Sequence, residues 1–296
     1  MRVLTWFNPF KSRERFQCPP RLCVNVYAGC AYQCRYCYAW AYVPNFHRPR
    51  CKPNFKRNLK GDIEKALGRS LKTLMVSISN STEPLQPLED EHKHTLYAVE
   101  RLMEAGFRVI LVTKNPLRLL SGEYLEVLDP KKTLIESTVP FLDHRYFEPH
   151  APPPQKRIEG LGELVDAGFE VAARVDPVVP RWGGVPGQSP KEIRGLIGML
   201  AERGVSHVVA KCLRLVGALK NVHPDFYLRL KPFYQGRGVW VGGCYELRDE
   251  VKVNLLTPLL EACEGYGITL STCLDRVSLR GVAPCDLAEE RLSAQS

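Results

Sequence analysis

The chain has 296 residues, 45% hydrophobic and 25% charged, a globular composition with length for one large core or two small ones. No run of about 18 apolar residues occurs and the N-terminal stretch lacks the apolar core of a signal peptide, so the expectation is a cytoplasmic protein with no membrane partner. The net charge of +9 is uneven: residues 1–60 hold 12 Lys and Arg against one acid, Glu14, and the remainder holds 29 against 31. Such a localised field suits an anionic substrate or partner, or simply a basic surface of thermophilic type.

Taken in chain order, residues 1–21 form a basic lead, and "LCVNVYAG" (22–29) reads as a strand running into a cysteine loop. Residues 61–69 are predicted helical, 71–79 a buried strand, and 88–106 a helix stopped by Gly106. Strand 107–114 and a helical run at 116–128 follow, then strand 133–139, helix 155–168, strand 169–179, helix 190–204 and strand 205–215. Six strands alternating with helices predict parallel units, hence an α/β fold, a partial (β/α)6 barrel over residues 22–215. The rhythm weakens afterwards, and 216–296 is expected as a C-terminal extension. Barrel enzymes carry reactive groups in the loops after their strands, so the cysteine loop, "NSTEP", "TKN" and "PFLDH" are expected on one face.

Within "GCAYQCRYCY" (29–38), Cys30, Cys34 and Cys37 have the spacing C-x3-C-x2-C. Intracellular cysteines serve metals or catalysis more often than disulfides. Bacterial ferredoxins hold each iron of a [4Fe-4S] cubane by one thiolate, so three thiolates fix three irons and leave the fourth open. A partial zinc knuckle or three core cysteines would be the plainer readings of the same spacing.

The triad, with Tyr36 before its last cysteine, resembles the radical S-adenosylmethionine (SAM) superfamily. With "ISNSTEPLQPLE", "VTKN", "STV" and "FEPHAPPPQKRIEGLGELVDAGFEV", the run from about 22 to 180 resembles its spore photoproduct lyase-like branch. The resemblance implies a barrel of radical SAM type, the [4Fe-4S] cluster and SAM as cofactors, and reductive cleavage of SAM to a 5′-deoxyadenosyl radical. It implies Cys30, Cys34 and Cys37 as cluster ligands and Thr82 and Glu83 on the methionyl amine and ribose of SAM. Lys114 would meet the SAM carboxylate, Ser137 the ribose, Tyr36 the adenine, and Tyr38 would join a hydrogen-atom relay. An electron donor such as flavodoxin or ferredoxin is implied as partner. The resemblance departs at Asn80, where the lyase carries a hydrogen-donating cysteine, so the family reaction does not transfer directly.

Between Asn45 and Lys60, "NFHRPRCKPNFKRNLK" holds six Lys and Arg with His47, Phe46 and Phe55 interleaved, a pattern for DNA or RNA contact or for a solvated face. Cys244, Cys263, Cys273 and Cys285 are candidates for a second metal site, against isolated buried cysteines, and Cys18 with Cys23 form a weaker pair. The leading expectation is a radical SAM enzyme repairing or modifying a nucleic-acid base. The others are the same chemistry on a peptide, protein or small metabolite, and a non-catalytic iron–sulfur nucleic-acid-binding protein.

Overall fold

Each of the six expected strands is present, and all six are parallel. The computed structural model describes residues 2–7, 19–275, 277, 279–283 and 288–293, apart from the Glu289 side chain. Strand β1 (Leu4–Trp6) pairs antiparallel with β2 (Leu22–Val24). Then β3 (Val76–Ile78), β4 (Val109–Thr113), β5 (Thr133–Thr138), β6 (Glu170–Val178) and β7 (His207–Cys212) add on in parallel. Two further parallel strands, β8 (Thr269–Thr272) and β9 (Val282–Ala283), complete a nine-stranded sheet whose order is the chain order, with β1 and β9 at its edges.

The segment after residue 215 therefore does not stand apart as an extension. Residues 215–247 make a small antiparallel sheet beside helix Pro224–Arg237, and the chain then returns through helix Asp249–Gly265 to extend the main sheet. The rhythm was hidden because this return crosses a sheet of different type.

Some expected elements are shorter. Strand 71–79 keeps only Val76–Ile78, since Ser70 turns into the left-handed region (φ 56°) and Leu71–Thr73 forms a 3₁₀ turn. Helix 88–106 is broken at Lys93 (φ 49°), because buried Glu89 accepts hydrogen bonds from the Thr95 and Leu96 amides at 2.9 and 3.0 Å. That carboxylate satisfies donors that a helix start leaves unpaired, so a second helix, His94–Glu104, begins there. The run 116–128 gives only the short turns Pro116–Leu120 and Gly122–Leu125, whereas helix 61–69 begins earlier, as α1 (Phe55–Leu67).

Alternation of side chains sorts the sheet into two faces. Val109, Leu111, Ile135, Ala173 and Val208 point outward into one core with helix residues such as Leu102, Leu161, Leu196 and Leu259. The other face carries Ile110 and Leu134 at its lower end, covered by Ala288 and Leu292 of the short helix Ala288–Ser293. Toward the strand C-termini that face turns polar, with Glu136, Thr138, Arg174 and Asp176.

Candidate active site

The polar inner face and the loops above it enclose one cavity of about 580 Å³, reached by residues from β1 through the turn after β8. Its size is that of a small-molecule site, and the sheet curves round it. Cys30, Cys34 and Cys37 all line it.

Their loop is held by its own backbone. The Cys37 amide donates to Cys34 O at 3.1 Å, the Cys30 amide to Phe46 O at 2.9 Å, and the Arg35 amide to Phe147 O at 2.9 Å. Gly29 enters the loop at φ +80°, and a Cβ there would lie 2.7 Å from Phe46 O and 2.9 Å from Arg48 O. Gly29→Ala is therefore expected to cost at least about 1–2 kcal/mol from the backbone alone and to displace the cysteines. Reduced iron incorporation together with a lowered unfolding midpoint would check this.

Burial raises the thiol pKa of all three cysteines, Cys37 to about 12, while Lys114 opposes the rise at each. Among the described residues no three His, Cys, Asp or Glu side chains gather as around a single metal ion. A cubane makes no such demand, since each thiolate takes a separate iron. The donor set, three thiols on one loop facing one cavity, fits a cluster with an open iron.

Residues implied for SAM binding mostly converge on the same cavity. Glu83 is buried at the end of β4: it accepts from the Lys114 amide at 2.8 Å, the Leu85 amide at 3.1 Å, and the Thr113 hydroxyl. Burial raises its pKa against these bonds. Thr82 lines the cavity with its hydroxyl buried and unpartnered, as does Ser79, held at φ +60° just before it. Two orphaned hydroxyls facing a cavity are what a polar ligand would satisfy. Lys114 lies 3.8 Å from Glu148 and 5.8 Å from the centre of the Tyr36 ring. Tyr36 donates to Glu148, and Tyr38 donates to the Asn80 carbonyl. Ser137 is different: its strand neighbours Glu136 and Thr138 line the cavity and it does not.

Several groups on the cavity wall or buried behind it carried no sequence signal as a set. Glu148 is fully buried, paired with fully buried Arg157 at 2.6 Å. Both lie inside the quoted "FEPHAPPPQKRIEG" run, where a buried acid followed by a base was the available hint. Arg174 clamps Glu136 at 2.6 Å and Asp176 at 3.1 Å, and Lys211 sits 5.2 Å from the Tyr38 ring centre. Asn80 donates through Nδ2 to Cys23 Sγ at 3.2 Å, and Cys23, Cys212 and Cys273 line the cavity too.

The three late cysteines among the described residues lie in different parts of the fold. Cys244 packs in the small-sheet core, Cys263 in the main core and Cys273 on the cavity wall. Cys285 and Cys18 lie outside the described residues. In the basic run, Phe46 and Phe55 are core residues, each 2% exposed, so they offer no stacking face, while Arg48, Arg50, Lys56, Arg57 and Lys60 are exposed. No helix among the described residues is long and apolar enough to cross a membrane.

No family model matches the chain. Uncharacterized proteins of Mycobacterium tuberculosis and Mycobacterium bovis are 26% identical to it over 259 residues, spanning 79% of this chain and 73% of theirs. An uncharacterized protein of Acidianus two-tailed virus is 24% identical over 209 residues, 64% of this chain and 66% of its own. A spore photoproduct lyase variant superposes with TM-score 0.71 at 16% identity, over 94% of this chain and 81% of its own. Another, with bound AdoMet and dinucleoside spore photoproduct, gives 0.69 at 16% identity over 87% and 76%. Streptococcus suis SuiB bound to precursor peptide SuiA gives 0.56 at 14% identity over 84% of this chain and 48% of its own. At these identities the likeness is one of fold: the chain has the mixed α/β fold of spore photoproduct lyase, in line with its resemblance to that branch of the radical SAM enzymes.

Proposed function

We propose that the protein is a radical SAM enzyme. One observation carries this reading: three loop cysteines share a cavity with buried, unpartnered Thr82 and Ser79 hydroxyls, the Glu83 carboxylate and Lys114. The cluster, when bound, supplies the electron that cleaves SAM to methionine and a 5′-deoxyadenosyl radical. Cys30, Cys34 and Cys37 hold it, Thr82 and Glu83 meet the SAM amine and ribose, and Lys114 supplies the cation for the carboxylate. Tyr36, fixed by Glu148, forms a wall against the adenine. Release of 5′-deoxyadenosine and methionine from anaerobically reconstituted, dithionite-reduced protein tests the reading. Cluster formation without SAM turnover would leave the non-catalytic iron–sulfur alternative.

For the substrate we infer a nucleic-acid base undergoing repair or modification, as the lyase complex with a dinucleoside suggests. A peptide substrate is the second reading, favoured by the SuiB complex with a precursor peptide.

Cys23 is the thiol placed to replace the donor lost at Asn80. Burial raises its pKa, which keeps the S–H form, and it stands beside Asn80 on the cavity wall. Once a substrate is identified, Cys23→Ser is expected to keep SAM cleavage but give several-fold less product per 5′-deoxyadenosine. An unchanged ratio would remove Cys23 from the chemistry.

A further inference from the structure

The basic run at residues 45–60 is read above from sequence as a nucleic-acid contact, but the structure gives it a different neighbour. It is bonded to the cysteine loop. Tyr27 and Ala28 pair in an antiparallel ladder with Cys51 and Arg50, the Cys30 amide donates to Phe46 O, and Gln33 Nε2 reaches His47 O at 3.5 Å. The Gly29 position, where a side chain would strike Phe46 O and Arg48 O, shows how closely the two segments lie.

Five of the six cations here are exposed, and Lys52 is half-buried. Among the described residues no carboxylate pairs with Arg48, Arg50, Lys56 or Arg57. Arg50 spends its guanidinium on the carbonyls of Arg48 and Pro44, at 3.2 and 3.0 Å, which fixes the turn and keeps its charge at the surface. Lys56 and Arg57 lie in the first turn of α1, where a helix positive end disfavours cations, so their charge is not there for helix stability. Of the rings within the run that single-stranded nucleic acid would stack on, Phe46 and Phe55 are core and only His47 is exposed.

We propose that this surface docks an acidic electron-carrier protein, which reduces the protein by one electron through the cysteine loop. The inference rests on the radical SAM reading, since that chemistry consumes one electron per SAM cleaved. The carrier loses that electron, the cluster gains it, and no bond forms between the proteins. Tunnelling decays steeply with distance, so a carrier must approach the loop itself. The rigid cationic surface bonded to that loop supplies both address and orientation, with charge complementarity acting on encounter rate and salt dependence.

The test compares two reductants on one protein. SAM cleavage is measured with dithionite and with reduced flavodoxin, an acidic one-electron carrier, for the native chain, for Arg57→Glu, and for the combined Arg48→Glu, Arg50→Glu, Lys56→Glu, Arg57→Glu variant. Flavodoxin binding to the reconstituted proteins is followed by calorimetry at low and high salt, independently of turnover. The expected result is a ratio of flavodoxin-driven to dithionite-driven cleavage that falls about tenfold or more in the combined variant and less in the single one, with binding lost at high salt. An unchanged ratio, or flavodoxin binding indifferent to both charge reversal and salt, overturns the proposal. So does loss of oligonucleotide binding on charge reversal with flavodoxin-driven cleavage intact, which assigns the surface to nucleic acid. Failure of dithionite to drive cleavage in the native chain would instead strike the radical SAM reading, while the calorimetry still judges the docking.

Discussion

A Cys34→Ala chain, purified without air and supplied with iron and sulfide, is expected to hold markedly less than the about four irons of a cubane and to release no 5′-deoxyadenosine above background. Cys34 is the central member of the triad, and its carbonyl also accepts from the Cys37 amide and from Trp40 Nε1, bonds that an alanine keeps. The loop should therefore retain its shape while losing one thiolate. That separates the chemical role from the structural one. Unfolding should change little, because the lost side chain is small, whereas iron content, the visible absorption of the cluster and SAM turnover should fall together. A variant that still cleaved SAM at the native rate would detach the triad from the reaction.

The largest stability effect is expected at Arg157. Its guanidinium is fully buried, pairs with fully buried Glu148, and donates to Pro152 O at 2.7 Å and Thr138 O at 2.8 Å. It thereby joins the end of β5, the entrance to helix Pro154–Asp166, and the acid that holds Tyr36. Arg157→Met leaves the Glu148 charge in the core with Lys114, 3.8 Å away, as its remaining counter-ion and should cost about 3–5 kcal/mol, read by chemical denaturation. Adding Glu148→Gln should recover part of that loss, because the stranded charge goes.

The pH dependence has a definite sign. Burial alone would raise Glu148, but Arg157 and Lys114 overcome it and hold the carboxyl below its usual range. A depressed carboxyl contributes stability that is present above the unfolded value of about 4.3 and is lost as pH falls through the lower folded value. The gap between native protein and Arg157→Met should therefore be widest near neutrality and narrow in acid.

Much of this was legible in the chain. The β-rich segments "FRVILVTK" and "TLIESTV" became β4 and β5, apolar on both faces toward their starts, where both sides are covered, and polar on the inner face toward the cavity. The cysteine spacing and the polar residues just past β3 and β4 marked the cavity, since strand polarity fixes which end they occupy, whereas "PFLDH" past β5 does not line it. Ser137 falls off the cavity lining for a local reason: alternation decides which residues of β5 face inward, and a motif match carries no phase. Phe46 looked like a stacking group because a turn leaves no periodicity to reveal burial, and Phe55 because the helix was expected to begin only at 61, past the Phe55–Leu59 spacing that shows its buried face. The Glu148–Arg157 pair was invisible as a pair, for a proline-rich stretch between them gives no helical or strand spacing from which a contact follows. Strands β8 and β9 were missed because each is too short to register against the helix before it.

The helix Ala288–Ser293 corks the lower end of the inner face, against Met75, Ile110 and Leu134. Those three residues come early in the sequence and their cover follows long after. Until a growing chain reaches residues 288–293, the chamber consequently stands bottomless, with apolar ground open to water. A fragment that stops short of this helix would offer iron and sulfide only an unfinished vessel.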